Sequence, residues 1–333
     1  MSLEVESSLL HLFHNLKILV VGDILLDEYL WGHVQRISPE APVPILKIER
    51  RECTLGGAGN VVKNLHSLGA KVNVVSAVGE DSTGDQILDL LNQLEVGQHV
   101  IRDRSRKSSR KTRLMSLEHG QHVFRFDEES AHWIDAGIED ALMANLEAET
   151  PSSDAVLCSD YLKGILTERV LQSAIQGAKK HKIPIVIAPK DSHPEKYREA
   201  SFLVPNVKEL MELAGISPDS VNCIELAATE VIKKLNIRSI VVTRGSEGIS
   251  LFERSGNSVV HSHVPTAAKT VYDVTGAGDT FISMFTLAIA AGANHESAAG
   301  LGNVAAGVVV GKRGTASVST NEIEEALRQG AGA

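Results

Sequence analysis

Short runs of β-branched and other apolar residues alternate with stretches of helical period along most of the chain. "KILVVGD", "KVNVVSAVG", "AVLCSDY", "IPIVIAP", "SFLVPN" and "SIVVTRG" are near-continuous apolar runs that each close near Gly, Asp, Asn or Pro, the pattern of strands buried on both faces. Between them the apolar spacing predicts helices over 57–68, 83–94, 138–146, 166–180 and 224–235, and near the end over 279–291, 296–311 and 321–328. Such alternation predicts an α/β fold with a doubly wound, mostly parallel sheet and helices on both faces. Two segments, about 28–52 and 100–128, break the pattern with prolines and a period close to two. They predict a small antiparallel sheet outside the parallel core. Open α/β sheets take ligands at the carboxyl ends of their strands, so a sheet placed there is a lid. With no internal repeat or long linker, 1–333 is expected to be one domain with a lid.

Composition narrows the function. A hydrophobic share of 43% allows a sizeable core. No apolar run has the roughly eighteen residues of a membrane span, and acids precede the first apolar residues at the N-terminus, so a soluble, cytoplasmic protein without a leader is expected. Cys53, Cys158 and Cys223 are scattered and form no CxxC, which argues against a disulfide scaffold or a cysteine metal site. A net charge of -9 argues against general nucleic-acid binding. "GVVVGKRG" echoes a P-loop, but its spacing is short and Arg313 stands where Ser or Thr would ligate magnesium. "VVGDILLDEYLWG" lacks the glycine pattern of a dinucleotide fold.

The chemistry concentrates in "YDVTGAGDTFISMFTLAIAAG", residues 272–292. A helix N-terminus presents unpaired N–H groups and the positive end of the helix dipole. Gly276, Ala277 and Gly278 let a ligand come close to that backbone. The apolar helix behind them should be buried and hold its N-terminus rigid. Asp279 would repel an anion there unless it has its own task, and two readings are open. It either caps the helix or takes a proton from an attacking hydroxyl while the amides stabilise a transferring phosphoryl group.

"DVTGAGDTF" resembles the C-terminal signature of the PfkB/ribokinase family of sugar kinases, and "LGGAGNVVKNLHSLGAKVNVVSAVGEDSTGD" its N-terminal signature, with the motifs in the family's order. The resemblance implies a ribokinase-like fold with ATP and Mg²⁺ as cosubstrate and cofactor. It implies that Asp279 is the catalytic base and that Gly276, Ala277 and Gly278 form the anion hole. "VPNVKEL" resembles the family's Asn-x-x-Glu element, which implies Asn206 beside the phosphates and Glu209 on magnesium through water. "VTRGSEG" implies Thr243, Gly245 and Gly248 beside ATP, and Asn303 falls where the family lines its adenine pocket. Asp27, Gly56, Gly57 and Asn60 match the family's sugar-contacting positions.

"ISPEAPVPILKI", "SSRKTRLM", "QHVFRFDEE" and "SDYLKG" resemble the branch that converts D-glycero-D-manno-heptose 7-phosphate to the 1,7-bisphosphate on the way to ADP-heptose for lipopolysaccharide core. A stand-alone kinase and the kinase half of a two-domain protein are both open. The basic run from Arg102 to Arg113 then has a candidate task. Strand alternation sets Arg104, Arg106 and Arg110 against Lys107, Lys111 and Arg113, and a substrate phosphate needs cations, for which Lys111, Arg113 and Arg125 are the candidates. A solvated lid edge is the competing reading. Asp160 and Lys163 either face ligands or pair with each other. Ala188 departs from the branch, where an aspartate is expected. Other sugars (ribose, ketodeoxygluconate, fructose 1-phosphate) and a non-catalytic sugar- or nucleotide-binding regulator are the alternatives. The lid is expected to pair into a homodimer.

Overall fold

The computed structural model describes residues 8–118, 120–191, 193–217, 223–268, 271–312, 314 and 316–330; Arg313 lies outside them. Nine strands form the main sheet in the order β13-β12-β11-β10-β9-β8-β1-β4-β5. They are β1 (Lys17–Gly22), β4 (Lys71–Gly79), β5 (Gly97–Asp103), β8 (Ala155–Ser159), β9 (Ile185–Ala188), β10 (Phe202–Leu203), β11 (Ser239–Thr243), β12 (Ile249–Ser255) and β13 (Ser258–Val264). All neighbours pair in parallel except the edge hairpin β12–β13, which runs antiparallel onto β11. The chain builds β4 and β5 on one side of β1 and β8 to β11 on the other. The strand order therefore reverses between β1 and β8, where a crevice opens at the carboxyl ends.

Alternate residues of the central strands feed two cores. Ile18 and Val20 face helices α1 (Ala58–Ser67), α2 (Ser82–Gln93), α7 (Ala277–Ala290), α8 (His295–Val309) and α9 (Thr320–Gly330). Leu19 and Val21 face α3 (Ala136–Glu149), α4 (Glu168–His181), α5 (Val207–Ala214) and α6 (Cys223–Leu235). The helix starts divide into two kinds. Asp81, Asp135, Thr167, Asn206 and Asn294 cap α2, α3, α4, α5 and α8 with side-chain oxygens that accept first-turn N–H groups. Gly57 and Gly276, which start α1 and α7, supply no side-chain cap. Both stand at the crevice.

A second sheet, β3-β2-β6-β7, covers that crevice. Its strands are β2 (Ile24–Ile37), β3 (Pro44–Gly57), β6 (Ser109–Ser116) and β7 (His122–Glu128). The lid predicted over 100–128 is thus shorter at its start, because 97–103 pairs with β4 in the main sheet. Register and alternation put Asp27, Tyr29, Lys111, Arg113, Arg125 and Asp127 on one face of the lid, and Leu30, Leu114, Phe124 and Phe126 on the other. Among the described residues no helix is long and apolar enough to cross a membrane.

In the crevice floor β1 and β8 approach closely. A Cβ built on Gly22 would lie 2.1 Å from the Ser159 carbonyl oxygen, a backbone atom held in the parallel ladder. Gly22→Ala should therefore destabilise the protein by about 3 kcal/mol, read as a lower urea midpoint at unchanged m-value.

Candidate active site

The site grows from one buried carboxylate. Asp23 follows β1 and is 1% exposed. It accepts N–H bonds from Tyr161 at 2.8 Å, Lys163 at 3.2 Å and Ile165 at 3.1 Å. Its own carbonyl takes the Ala58 N–H at 2.9 Å. One residue thus shapes the turn after β8 and the start of α1. Burial and the neighbouring Asp160 push the Asp23 carboxyl up, and the three N–H donors oppose them.

Helix α1 is joined to α7 by polar contacts inside an otherwise apolar interface. Asn60 Nδ2 donates to Asp279 Oδ2 at 2.8 Å and Thr280 Oγ1 to Asn64 Oδ1 at 2.9 Å, while within α1 Asn64 Nδ2 donates to the Asn60 carbonyl at 2.9 Å. The Tyr161 hydroxyl donates to Asp279 Oδ1 at 2.9 Å. The cap reading of Asp279 is thereby excluded: Asp279 lies within the first turn of α7, Gly276 is the N-cap residue, and the carboxylate accepts from two side chains of other elements. Burial pushes the Asp279 carboxyl up to about 6, against the Asn60 and Tyr161 donors; Asp27 adds to the rise and Lys111 opposes it.

Gly276 adopts φ 82°, a conformation that suits glycine. Among the described residues a Cβ at Gly278 would meet nothing within 4 Å. The Ala277 N–H is bonded to the Val274 carbonyl at 3.2 Å. Among the described residues no carbonyl receives the Gly278 N–H.

A cavity of about 140 Å³ runs from Asp279 and Gly278 past Tyr161 to Asn206, Glu209 and Thr243. It brings together Tyr161 and Asp279, 118 positions apart in sequence. Asn206 and Glu209 form a complete capping box on α5, with both bonds at 2.9 Å. Lys190, after β9, holds the other Glu209 oxygen at 2.8 Å. Ala188 lines the same cavity and brings no oxygen to it. A magnesium ion that keeps several waters and phosphate oxygens needs only one or two carboxylates. Glu209 fits that demand, while among the described residues no cluster of three metal-binding side chains occurs. Gly245, with φ 58°, has open space at its Cβ position. Gly248, with φ 84°, lies against the Val264 carbonyl, where a Cβ would come within 2.2 Å. The Asn303 amide donates to the Pro265 carbonyl at 2.6 Å. These last two residues shape the backbone of the region where nucleotide contacts are expected.

On the lid side, Arg113 binds Asp27 Oδ1 at 2.6 Å and its guanidinium lies 5.2 Å from the Tyr29 ring centre. The Lys111 ammonium lies 5.8 Å from the Tyr161 ring centre. Burial pushes the Lys111 ammonium down, and Asp27 and Asp127 oppose that. Arg125 pairs with Asp127 at 3.0 Å on the exposed strand β7. Most of the rest of the basic run is spent on structure. Arg104 pairs with Glu80, Arg106 is buried on Asp103 and the carbonyls of Lys163 and His132, and Arg110 binds Thr83 at 2.7 Å. Asp160 does not pair with Lys163: it takes Lys196 at 2.7 Å and Tyr197 at 2.8 Å, while Lys163 binds Glu129 at 2.8 Å.

Four residues at the site carry no role in the sequence patterns: Asp23, Tyr161, Lys190 and Lys63. Lys63 is a half-buried lysine of α1 whose ammonium burial pushes down and Asp27 supports. A polar residue directly after a buried strand is the signal available for Asp23, whereas Tyr161 stands two positions after β8. Lys63 and Lys190 offered none.

A mostly parallel sheet, a four-stranded lid and an uncapped Gly-Ala-Gly-Asp helix start define the ribokinase-like class. The chain belongs to the pfkB family of carbohydrate kinases, whose model matches residues 15–322. It is 45% identical over 314 residues to "Bifunctional protein HldE" of Syntrophotalea carbinolica, covering 94% of this chain and 63% of that protein. It is 43% identical over 320 residues to the protein of the same name from Geobacter metallireducens, covering 96% and 64%. The chain thus spans less than two thirds of the length of these relatives. Among solved structures, phosphofructokinase-2 from Escherichia coli superposes with a TM-score of 0.77 at 18% identity, over 94% of this chain and 99% of that one. Arabidopsis thaliana ribokinase, solved with ribose and ATP, gives 0.71 at 20%, over 94% and 98%. At these identities the likeness is one of fold.

A Cβ on Gly56 would sit 2.3 Å from Asp27 Oδ2. Gly56→Ala should turn the Asp27 carboxylate and raise the KM for the sugar on the order of tenfold, with the KM for ATP unchanged in the same steady-state assay.

Proposed function

We propose that the chain is an ATP- and Mg²⁺-dependent kinase for a sugar phosphate, with D-glycero-D-manno-heptose 7-phosphate as the substrate and the anomeric oxygen as the acceptor. The observation that carries this reading is the Asp279 carboxylate. It stands in the first turn of an uncapped, buried helix at the carboxyl ends of the strands, below a lid face that carries Lys111 and Arg113. The heptose assignment is supported by the four segment resemblances.

In this reading Asp279 accepts the proton of the attacking hydroxyl as the oxygen bonds to the γ-phosphorus and the bond to the ADP oxygen breaks. Asn60 and Tyr161 hold the carboxylate plane. Each carboxylate oxygen retains lone-pair capacity for the substrate hydroxyl. Asn60 Oδ1 is buried without a partner among the described residues, and a sugar hydroxyl would supply a donor. Asp27, held by Arg113, takes a further hydroxyl. The Gly278 N–H and the α7 dipole stabilise charge on the transferring group. Glu209 would hold Mg²⁺ through water, and the ion would supply charge neutralisation at the phosphates. Lys111 and Arg113, with Arg125 further out, would receive the substrate's own phosphate. Closure of the lid would keep water from competing with the sugar.

The lid also supports a homodimer. Ile48, Phe124 and Phe126 are 49%, 61% and 42% exposed, and a second lid would cover them. Light scattering at micromolar concentration should give the dimer mass; a monomer contradicts this part.

Because Asp279 acts only when ionised, kcat/KM should climb with pH through about 6 and level above it. A flat profile between pH 5 and 8 would count against Asp279 as base. The substrate is tested by coupled ADP release with Mg·ATP against heptose 7-phosphate, the unphosphorylated heptose, ribose and fructose 1-phosphate. Strong turnover with heptose 7-phosphate alone is expected. Preference for another sugar removes the heptose assignment and leaves the kinase chemistry in place. ATP binding without turnover on any sugar favours the regulatory alternative.

A further inference from the structure

Tyr161 lies in the "SDYLKG" segment, which gives it no role, and it links the turn after β8 to the helix that carries Asp279. Its hydroxyl donates to Asp279 Oδ1 at 2.9 Å, and Asn60 Nδ2 takes the other oxygen at 2.8 Å. The tyrosine is not free to drift. Asp23 receives its N–H at 2.8 Å and those of Lys163 and Ile165, so the turn is bolted to the end of β1.

Two donors on two oxygens define the plane of a carboxylate. With Asn60 alone, the group could swing about its terminal bond, which has a broad energy well. A phenol is well suited to the second position. It is neutral, and burial together with Asp279 keeps its proton in place far above working pH. It therefore donates throughout the range in which a base must act. A hydrogen bond to the charged form also makes the carboxylate less basic. We infer that Tyr161 is the positioning residue of the proposed base: its hydroxyl fixes the orientation of the Asp279 carboxylate toward the acceptor hydroxyl and sets the pH range in which it works. The inference rests on the reading of Asp279 as base. The other groups facing Asp279 are Asp27 from β2 and Lys111 from β6, which act in opposite senses, and the neutral Asn60 from α1.

The test is Tyr161→Phe in the full chain, assayed for kcat, both KM values and the pH profile of kcat/KM. The ring and its neighbours are kept and only the donor is lost. We expect kcat to fall at least tenfold, both KM values to stay within about threefold, and the acid limb to move to higher pH because a stabilising donor has gone. A merely structural tyrosine would lower the melting temperature and leave the limb where it was. Wild-type kcat with an unmoved limb overturns the inference.

Should Tyr161→Phe fold poorly, fluorotyrosine incorporated at all four tyrosines gives a near-isosteric second probe. Its stronger donor should move the limb to lower pH, and the same labelling in the Tyr161→Phe background, wherever that protein can be recovered, should not. A limb that fails to move on fluorination of the wild-type sequence also overturns the inference. A wild-type profile with no acid limb near pH 6 is a different failure, that of the Asp279 reading itself.

Discussion

The placement of the proposed base depends on one buried carboxylate at the end of β1. Asp23 sits at the switch point of the sheet, nearly sealed from water, and converts three backbone N–H groups of the turn after β8 into a fixed platform. A buried carboxylate is costly unless its oxygens are satisfied, so the turn cannot move without exposing that cost. The same residue receives the first N–H of α1 through its carbonyl. Asn60 and Tyr161, the two side chains that hold Asp279, are therefore anchored to one point. Precision at the proposed base comes from long-range backbone satisfaction, and loop sequence contributes little to it.

The site also holds its charges in partly buried, fixed positions. Asp279 is desolvated and raised, Lys111 is desolvated and lowered, and Asp27 influences both. Arg113 is committed to Asp27 at 2.6 Å. Glu209 is divided between a helix cap and Lys190. Such partly buried groups are poorly hydrated before any ligand arrives, so a phosphorylated sugar and a nucleotide would find donors and acceptors already oriented. The absence of a carboxylate at Ala188 fits a cavity in which Glu209 and Lys190 already form a neutral pair. Metal handling would then lean more on phosphate oxygens and water.

Much of this was legible in the sequence because its causes are local. Buried parallel strands need continuous apolar runs, and β1, β4, β8 and β11 lie where those runs do. The Gly-Ala-Gly-Asp start of α7 was legible because a wholly apolar helix with an uncapped mouth is unusual. The Asn206–Glu209 capping box is a four-residue pattern. What stayed hidden depends on partners distant in sequence. Asp23 and Tyr161 fall at the ends of apolar runs, and nothing local to those runs shows the bonds that tie them to the turn after β8 and to α7. Strand alternation sets Arg104, Arg106 and Arg110 apart from Lys111 and Arg113, but it does not show that the three are consumed by Glu80, by Asp103 with two carbonyls, and by Thr83. The edge hairpin β12–β13 and strand β5 escaped notice because half-exposed strands carry a weak apolar signal.

The central claim is that Asp279 moves a proton. The most direct measurement is Asp279→Asn, with sugar and ATP binding followed by calorimetry and the chemical step by single-turnover quench. Binding of both ligands within a few-fold of wild type, with phosphoryl transfer slowed by roughly 10² to 10⁴, is the result this account predicts. Phosphoryl transfer at the wild-type rate would contradict it.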